Sequence, residues 1–467
     1  MNRQSVIVTV IAGLVLLGLA LLLYGGGGTD QPQPIPSQGP RSAKAAKRPD
    51  SAKRIDAAKL IRKRAIPDDR RAAPAGAPNV VFVVASTQRR DQWTVYGGPE
   101  NTTPFLAERV RAAGVWFEDA LAVSVDPHPT TAALLTGRYP HALGVVELRE
   151  KLNVRRTPNA ATTLAEVFAD SGWFTMGLSA NHHANTRAGL SQGFDWFRNS
   201  QPFSLKLGAR IDARNLVRIA LDRLSRRNES EKARPLYLQL ALVDSHKPFR
   251  VPPAEYNAFE APEHDVAPYR ATVRRLDDAL RFLVDGLGKQ GIDESNTLFV
   301  VVADHGEGLS MPESHRFQHG FVLYESSVRI PWVMWGHTLP KGRAVPGLAS
   351  QIDVVPTVLD WLGLEVPAAV DGSSHASAVR EGTTQRDQAY ADATYRGIHR
   401  ASIWTTDRQC QRDFGSLQNL EDDSFVDGCF DRKTDPEFTA SFVDDDLMAK
   451  LDELHETLAA LADAPAN

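Results

Sequence analysis

Cysteine is almost missing from this chain. Cys410 and Cys429 are the only two in 467 residues, too few to brace a protein of this size, so the fold has to rest on a buried apolar core. The two stand nineteen residues apart near the C-terminus, which suits either one loop-closing disulfide or two unrelated thiols. Charge of one sign is missing too. The 53 Lys and Arg against 57 Asp and Glu leave a net −4, which exerts no general pull on nucleic acid. With 42% hydrophobic and 24% charged residues, the composition is globular, not fibrous, and fits one large domain with appendages.

Long apolar runs are scarce, and the exception is Val6 to Tyr24, VIVTVIAGLVLLGLALLLY, nineteen uncharged residues behind Arg3. As a helix it is long enough to cross about 30 Å of hydrocarbon. We read residues 1–24 as an uncleaved N-terminal anchor against the alternative of a cleaved signal peptide. Its apolar part exceeds a usual signal core, and no small-x-small site follows cleanly before the glycines. Residues 25–78 begin with GGGG, pass through QPQPIPSQGP and end in alternating basic and Ala residues. This is a tether. Its Lys and Arg begin only at Arg41, too far from the helix end to set the orientation by themselves. The segment Ser51 to Arg64 reads as a solvated spacer or as a short basic helix on anionic lipid.

From Asn79 onward, strand and helix alternate. NVVFVV, the LYLQLALVD of Leu236 to Asp244, TLFVVVAD from Thr297 and IPWVMWG from Ile330 are apolar on both faces, as strands inside a parallel sheet are. Phe105 to Ala113 and Thr163 to Ala169 read as short helices. Val273, Leu276, Leu280, Leu283 and Leu287 make one stripe on a long helix from about Tyr269 to Gln290. The fold class is therefore α/β, a mostly parallel sheet sandwiched by helices, with ligands expected at the carboxyl ends of its strands. Ser86, Thr87, His246, Asp304 and His305 follow such ends. SVDPHPTTAALLTG, Ser124 to Gly137, is a Pro- and Thr-rich turn opening a small-residue helix, expected to meet them there.

PNVVFVV, NTTPFLAERVRAAGVWFEDALA, LLTGRYPHALGV, ADHGEGLS, HGFVLYESSVRIPWVMWG and the IDVVPTVLDWLGL of Ile352 to Leu364 come in one order from about 79 to 375. Together they resemble the successive blocks of the sulfatase family within the alkaline phosphatase superfamily. CFDRKTDPEFT resembles the strand and turn near the end of sulfatase C-terminal subdomains. The resemblance implies a sulfatase-like α/β domain over 79–395, a small C-terminal α+β subdomain over 396–467, and the chemistry of a sulfuric or phosphoric ester hydrolase.

Carried over position by position, the resemblance meets substitutions. The family nucleophile, a Cys or Ser oxidised to formylglycine or a Thr in transferase relatives, would stand at Pro127, which has no heteroatom to attack sulfur or phosphorus and cannot become formylglycine. Pro129 and Thr130 match the Pro-Ser that follows in the family, and the next position, usually Arg or His, is Thr131. Where the resemblance implies Asp ligands of a divalent cation, calcium, stand Ser86 and Thr87. Asp304 and His305 are kept as metal positions, although a hard cation wants several carboxylate oxygens. His246 matches a His near the leaving group, Lys247 can contact an anion, and His319 stands where the family holds the sulfate. His182 matches a further family His. Each of these histidines can equally be a satisfied loop residue. Thr130 is the nearest replacement for the nucleophile, and it is also a natural helix N-cap.

Three readings follow. One is a membrane-anchored sulfatase-like domain that has lost hydrolysis and binds a sulfated or phosphorylated ligand. Another is an active hydrolase or transferase with unusual site chemistry, and the last a structural protein of the cell envelope. In each, the domain is expected outside the cytoplasm, periplasmic or extracellular, held by its N-terminal helix, and no nucleic-acid partner is expected.

Overall fold

The computed structural model describes residues 71–146, 156–181, 183–199, 211–259, 266–309, 319–394, 398–415, 425–435 and 438–463. The expected anchor, most of the tether and His182 lie outside them. Among the described residues no helix is long and apolar enough to cross a membrane.

The strand β1 (Asn79–Ala85) has parallel partners on both sides, β5 (Leu236–Leu242) and β6 (Thr297–Ala303). Beyond β5 the sheet continues in parallel through β3 (Phe174–Ser179) to β4 (Trp196–Asn199). All of β5 and β6, and all of β1 after Asn79, is buried, which is why these runs show no polar alternation. On the far side of β6 the direction changes. The strand β8 (Trp332–Gly336) runs antiparallel to both β6 and β2 (Gly114–Leu121), while β7 (Arg329–Ile330) and β9 (Arg343–Ser350) also pair with β2. The run from Ile330, expected as another parallel strand, is thus corrected in two respects. Pro331, which has no N–H to give a ladder, divides it into β7 and β8. Burial on both faces leaves the same apolar signature whichever way a strand points.

Helices cover both faces. On one side α1 (Pro104–Ala113), α4 (Ala213–Ser225) and α5 (Val266–Gly288) set Phe105, Leu216 and Leu280 against Val81 and Val83. On the other, α2 (Pro127–Thr136), α3 (Leu164–Asp170) and α6 (Val354–Trp361) pack Leu134, Phe168 and Val358 against Val80, Phe82 and Val84. Thr163 caps α3 in a reciprocal box with Glu166 instead of joining the helix. The stripe from Val273 to Leu287 is buried along α5, as its spacing implies.

After α7 (Ala376–Glu381) a smaller antiparallel sheet follows, in the order β10 (Ala389–Ala393), β11 (Arg400–Trp404), β12 (Arg408–Asp413) and β13 (Gly428–Asp431). The helix α8 (Asp445–Asp463) lays Leu447, Leu451 and Leu458 on Tyr390, Ala401 and Ile403. Cys410 and Cys429 sit opposite each other in the β12–β13 register and are bonded. The small sheet takes its first strand from before residue 396. That strand is also stitched to the segment entering α2: the Asp392 N–H donates to the Val123 carbonyl at 3.1 Å, and its carbonyl accepts from the Val125 N–H at 3.2 Å.

Candidate functional site

Because β1 is in parallel register with β5 and β6, Ala85 lies level with Leu242 and Ala303, and the loops that follow leave the sheet side by side. Asp304 is the centre of two of them. Its Oδ2 accepts from the Ser86 hydroxyl at 2.8 Å, and its Oδ1 accepts from the Thr87 N–H at 2.9 Å and the His305 N–H at 2.8 Å. Burial pushes the Asp304 carboxyl up, against these hydrogen bonds, which pull it down. Thr87 has φ 56°, a left-handed conformation that a β-branched residue adopts only when its surroundings impose it. They do so here. The Thr87 hydroxyl donates to the Ser86 carbonyl at 2.8 Å, and its own carbonyl accepts from the Tyr269 hydroxyl at 2.7 Å. On the β6 side a Cβ at Gly306 would stand 1.9 Å from the Ser326 carbonyl oxygen, so only glycine allows the loop to pass.

Three histidines gather beside this centre. The His305 and His319 rings are 4.6 Å apart by centroid, and those of His246 and His319 are 5.0 Å apart. The Nδ1 of His305 donates to the Gly306 carbonyl at 2.8 Å, and that of His246 to the Lys247 carbonyl at 2.7 Å. Burial, with the neighbouring His319, brings the His305 imidazole down to about 3, so it is neutral at physiological pH. His319 behaves oppositely. Burial works against its charge, but the carboxylate of Glu307, 3.2 Å from its Nδ1, outweighs burial and holds the imidazole above its ordinary pKa. Glu307 in turn is held below the usual carboxylate range in spite of its burial, chiefly by the charge of His319. Glu307 is buried and His319 largely so, and each favours the charged form of the other.

At the start of α2 the arrangement departs from expectation. Asp126 is the N-cap and accepts from the His128 N–H at 3.1 Å; Pro127 occupies the first helical position. Thr130 is therefore not the cap. Its hydroxyl donates to the Asp126 carbonyl at 2.7 Å, and that of Thr131 to the Pro127 carbonyl at 2.6 Å, so both bond back along their own helix. Pro127 and Pro129 have no N–H, and the Thr130 N–H is also taken by the Asp126 carbonyl. The first turn consequently has no backbone donor left for an anion.

The structure thus brings together Ser86, Thr87, Asp304, His305, His246 and His319, and leaves Thr130 and Thr131 engaged elsewhere. Glu307, absent from the sequence reading, follows Asp304 by three in DHGEG and is fully buried. The residues present do not fit the calcium ion that the resemblance implies. Of the positions where ligands belong, only Asp304 has a carboxylate, and both of its oxygens already accept hydrogen bonds. Among the described residues no group of three or more His, Cys, Asp or Glu is placed to hold a metal ion.

The sequence model described as Sulfatase matches residues 78–364. The chain belongs to the sulfatase family. A second model, N-sulphoglucosamine sulphohydrolase C-terminal, matches residues 313–464, so the small sheet and α8 also have a counterpart among sulfatases. The ulvan-active sulfatase of Formosa agariphila is 24% identical over 350 residues, which are 67% of this chain and 66% of that protein. The N-acetylgalactosamine-6-sulfatase of Sus scrofa is 25% identical over 385 residues, 70% of this chain and 72% of that protein. Among solved structures, the phosphonate monoester hydrolase of Agrobacterium radiobacter superposes with a TM-score of 0.64 at 18% identity, covering 82% of this chain and 95% of that one. A 2-O GAG sulfatase superposes with a TM-score of 0.62, also at 18% identity, covering 82% of this chain and 91% of that one. At such identities these structures establish that the sulfatase fold is shared.

Proposed function

We propose that this member of the sulfatase family does not hydrolyse sulfate or phosphate esters and acts as a binding protein built on the family's fold. The observation that carries the reading is the head of α2. The nucleophile's place is taken by Pro127, and the hydroxyls of Thr130 and Thr131 on the same helix donate to the carbonyls of Asp126 and Pro127. No side chain there attacks. Loss of a covalent nucleophile removes several orders of magnitude in rate, because the groups of such a site act as a unit. A ligand carrying a sulfate or phosphate group would meet His319, His246 and Lys247. The names of the relatives, which act on ulvan and on N-acetylgalactosamine 6-sulfate, support a sulfated saccharide as its class.

Purified protein should turn over aryl sulfate and aryl phosphate no faster than the uncatalysed rate. The same preparation titrated with sulfate by NMR should show weak binding, about millimolar or roughly −4 kcal/mol, lost in the His246→Ala, His319→Ala double variant. Turnover near 10 s⁻¹, an ordinary enzyme's rate, that disappears in Asp304→Ala would sink the reading. That outcome would favour an active enzyme, for which the His319–Glu307 pair offers a proton donor.

The bonded pair Cys410–Cys429 supports placing the domain in an oxidising compartment outside the cytoplasm, held by Val6 to Tyr24. Protease added to cells with a permeabilised outer layer should release it. Protection until the inner membrane is broken would reverse the orientation.

A further inference from the structure

We infer that the Ser86 hydroxyl takes over the bridging role of a cation, so that the site is closed by the protein's own hydrogen bonds and its stability does not depend on metal. In a buried site two carboxylates side by side need a cation or a proton between them, since each would otherwise face an acceptor with no donor. Here the neighbour of Asp304 brings its own proton. Ser86 and Asp304 are 2% and 0% exposed, and the hydroxyl reaches Oδ2 at 2.8 Å. Oδ1 is served by the N–H groups of Thr87 and His305. The loops after β1 and β6 are therefore tied through one carboxylate without any ion.

The rest of the loop after β1 is arranged to match. The Thr87 hydroxyl turns to the Ser86 carbonyl instead of the centre. The Tyr269 hydroxyl donates to the Thr87 carbonyl and accepts from the Arg89 N–H at 2.8 Å. This holds the left-handed turn from the α5 side. Asp304 is the one carboxylate at the former ligand positions, and both of its oxygens already accept hydrogen bonds.

The inference concerns what holds the loops, not whether an ester is cleaved, and melting temperature reports it independently of turnover. The full-length chain and its Ser86→Asp and Ser86→Ala variants are melted in excess EDTA and in millimolar calcium chloride. Wild type should melt at the same temperature in both. Ser86→Asp should melt on the order of 5 °C lower in EDTA and recover as calcium is raised, because the ion binds only the folded state. Ser86→Ala should melt lower than wild type in both conditions, with no response to calcium. A wild-type melting temperature that falls in EDTA overturns the inference, as does Ser86→Asp melting alike in both. If Ser86→Asp does not fold, Ser86→Ala decides, since melting like wild type would mean that the hydroxyl holds nothing.

Discussion

Replacing Asp119 by alanine should lower the stability of this domain by about 3–5 kcal/mol, the range for removing one partner of a buried ion pair. Asp119 lies on β2 and receives Arg432 in the two-pronged geometry that suits a guanidinium, NH1 at 2.8 Å to Oδ2 and NH2 at 2.7 Å to Oδ1. Arg329 adds its Nε at 2.8 Å. Glu325 shares the load, taking the Arg432 Nε at 2.8 Å, and the Thr405 carbonyl takes NH1 at 2.6 Å. The Arg432 side chain is 4% exposed and that of Asp119 10%, so water would replace little of what the substitution removes. Two guanidinium groups would be left with one carboxylate.

Arg432 follows β13 while Asp119 belongs to the large sheet, and the loss should also uncouple the two sheets. Urea unfolding checks the loss of stability, and a second transition in tryptophan fluorescence, to which Trp404 contributes from the small sheet, would report the uncoupling. Asp119→Leu combined with Arg432→Met should recover much of the loss, because a well-packed apolar pair avoids burying charge. A single-variant loss under about 1 kcal/mol, the value of a surface pair, would mean that the network is solvated.

The second large effect concerns His141 and Asp392. Both are buried, with Nε2 of the histidine 3.4 Å from Oδ2 of the aspartate. Burial pushes the Asp392 carboxyl up to about 7, Asp126 adding to the effect and the Ser124 hydroxyl only partly reversing it. Burial likewise brings His141 down to about 3, with His455 and His399 contributing. Tyr390, whose ring meets that of His141 edge-on, and Tyr139, edge-on to Tyr390, complete the surroundings. Between those two values the folded pair keeps one proton. The unfolded chain, with an ordinary aspartate near 3.9 and an ordinary histidine near 6.5, keeps one as well over most of that range. Wild-type stability should therefore owe little pH dependence to this pair.

Each single variant should expose one partner. In His141→Gln the raised Asp392 remains, so its stabilising contribution is full below about pH 3.9 and is lost as pH rises through about 7, on the order of 4 kcal/mol in all. In Asp392→Asn the depressed His141 remains. Its contribution is present above about pH 6.5 and is lost as pH falls toward 3. Denaturant midpoints between pH 4.5 and 7.5 should slope in opposite directions for the two variants. Slopes of the same sign would show that burial does not shift the two groups in opposite directions.

Much of the fold is legible in the residues, and the exceptions have physical reasons. The runs that become β1, β5 and β6 are apolar on both faces, Gln239 of β5 apart, because helices cover both sides of the sheet. The strand β2, Gly114–Leu121, escapes such reading because Glu118 and Asp119 interrupt it. The partner that makes Asp119 tolerable, Arg432, is 313 residues away.

The site was legible to the same degree. Strand ends point to Ser86, Thr87, His246, Asp304 and His305 without help from tertiary structure. Whether Thr130 or Asp126 caps α2 is a local question, and Pro127 answers it, since proline favours the first helical position and so marks the residue before it as the cap. Glu307 is different. Nothing in DHGEG says that its carboxylate turns inward to meet a histidine twelve residues later.

The position of β1 in the sheet also bears on how the chain is made. Its lateral neighbours are β5 and β6, and Ser86 precedes its hydrogen-bond partner Asp304 by 218 residues. At roughly 5–20 residues per second, a ribosome needs about 10–40 s to cover that stretch. For that interval an apolar strand has left the exit tunnel with at least one edge unpaired. A nascent chain of this kind must be sheltered while it waits, and strand order alone imposes the wait.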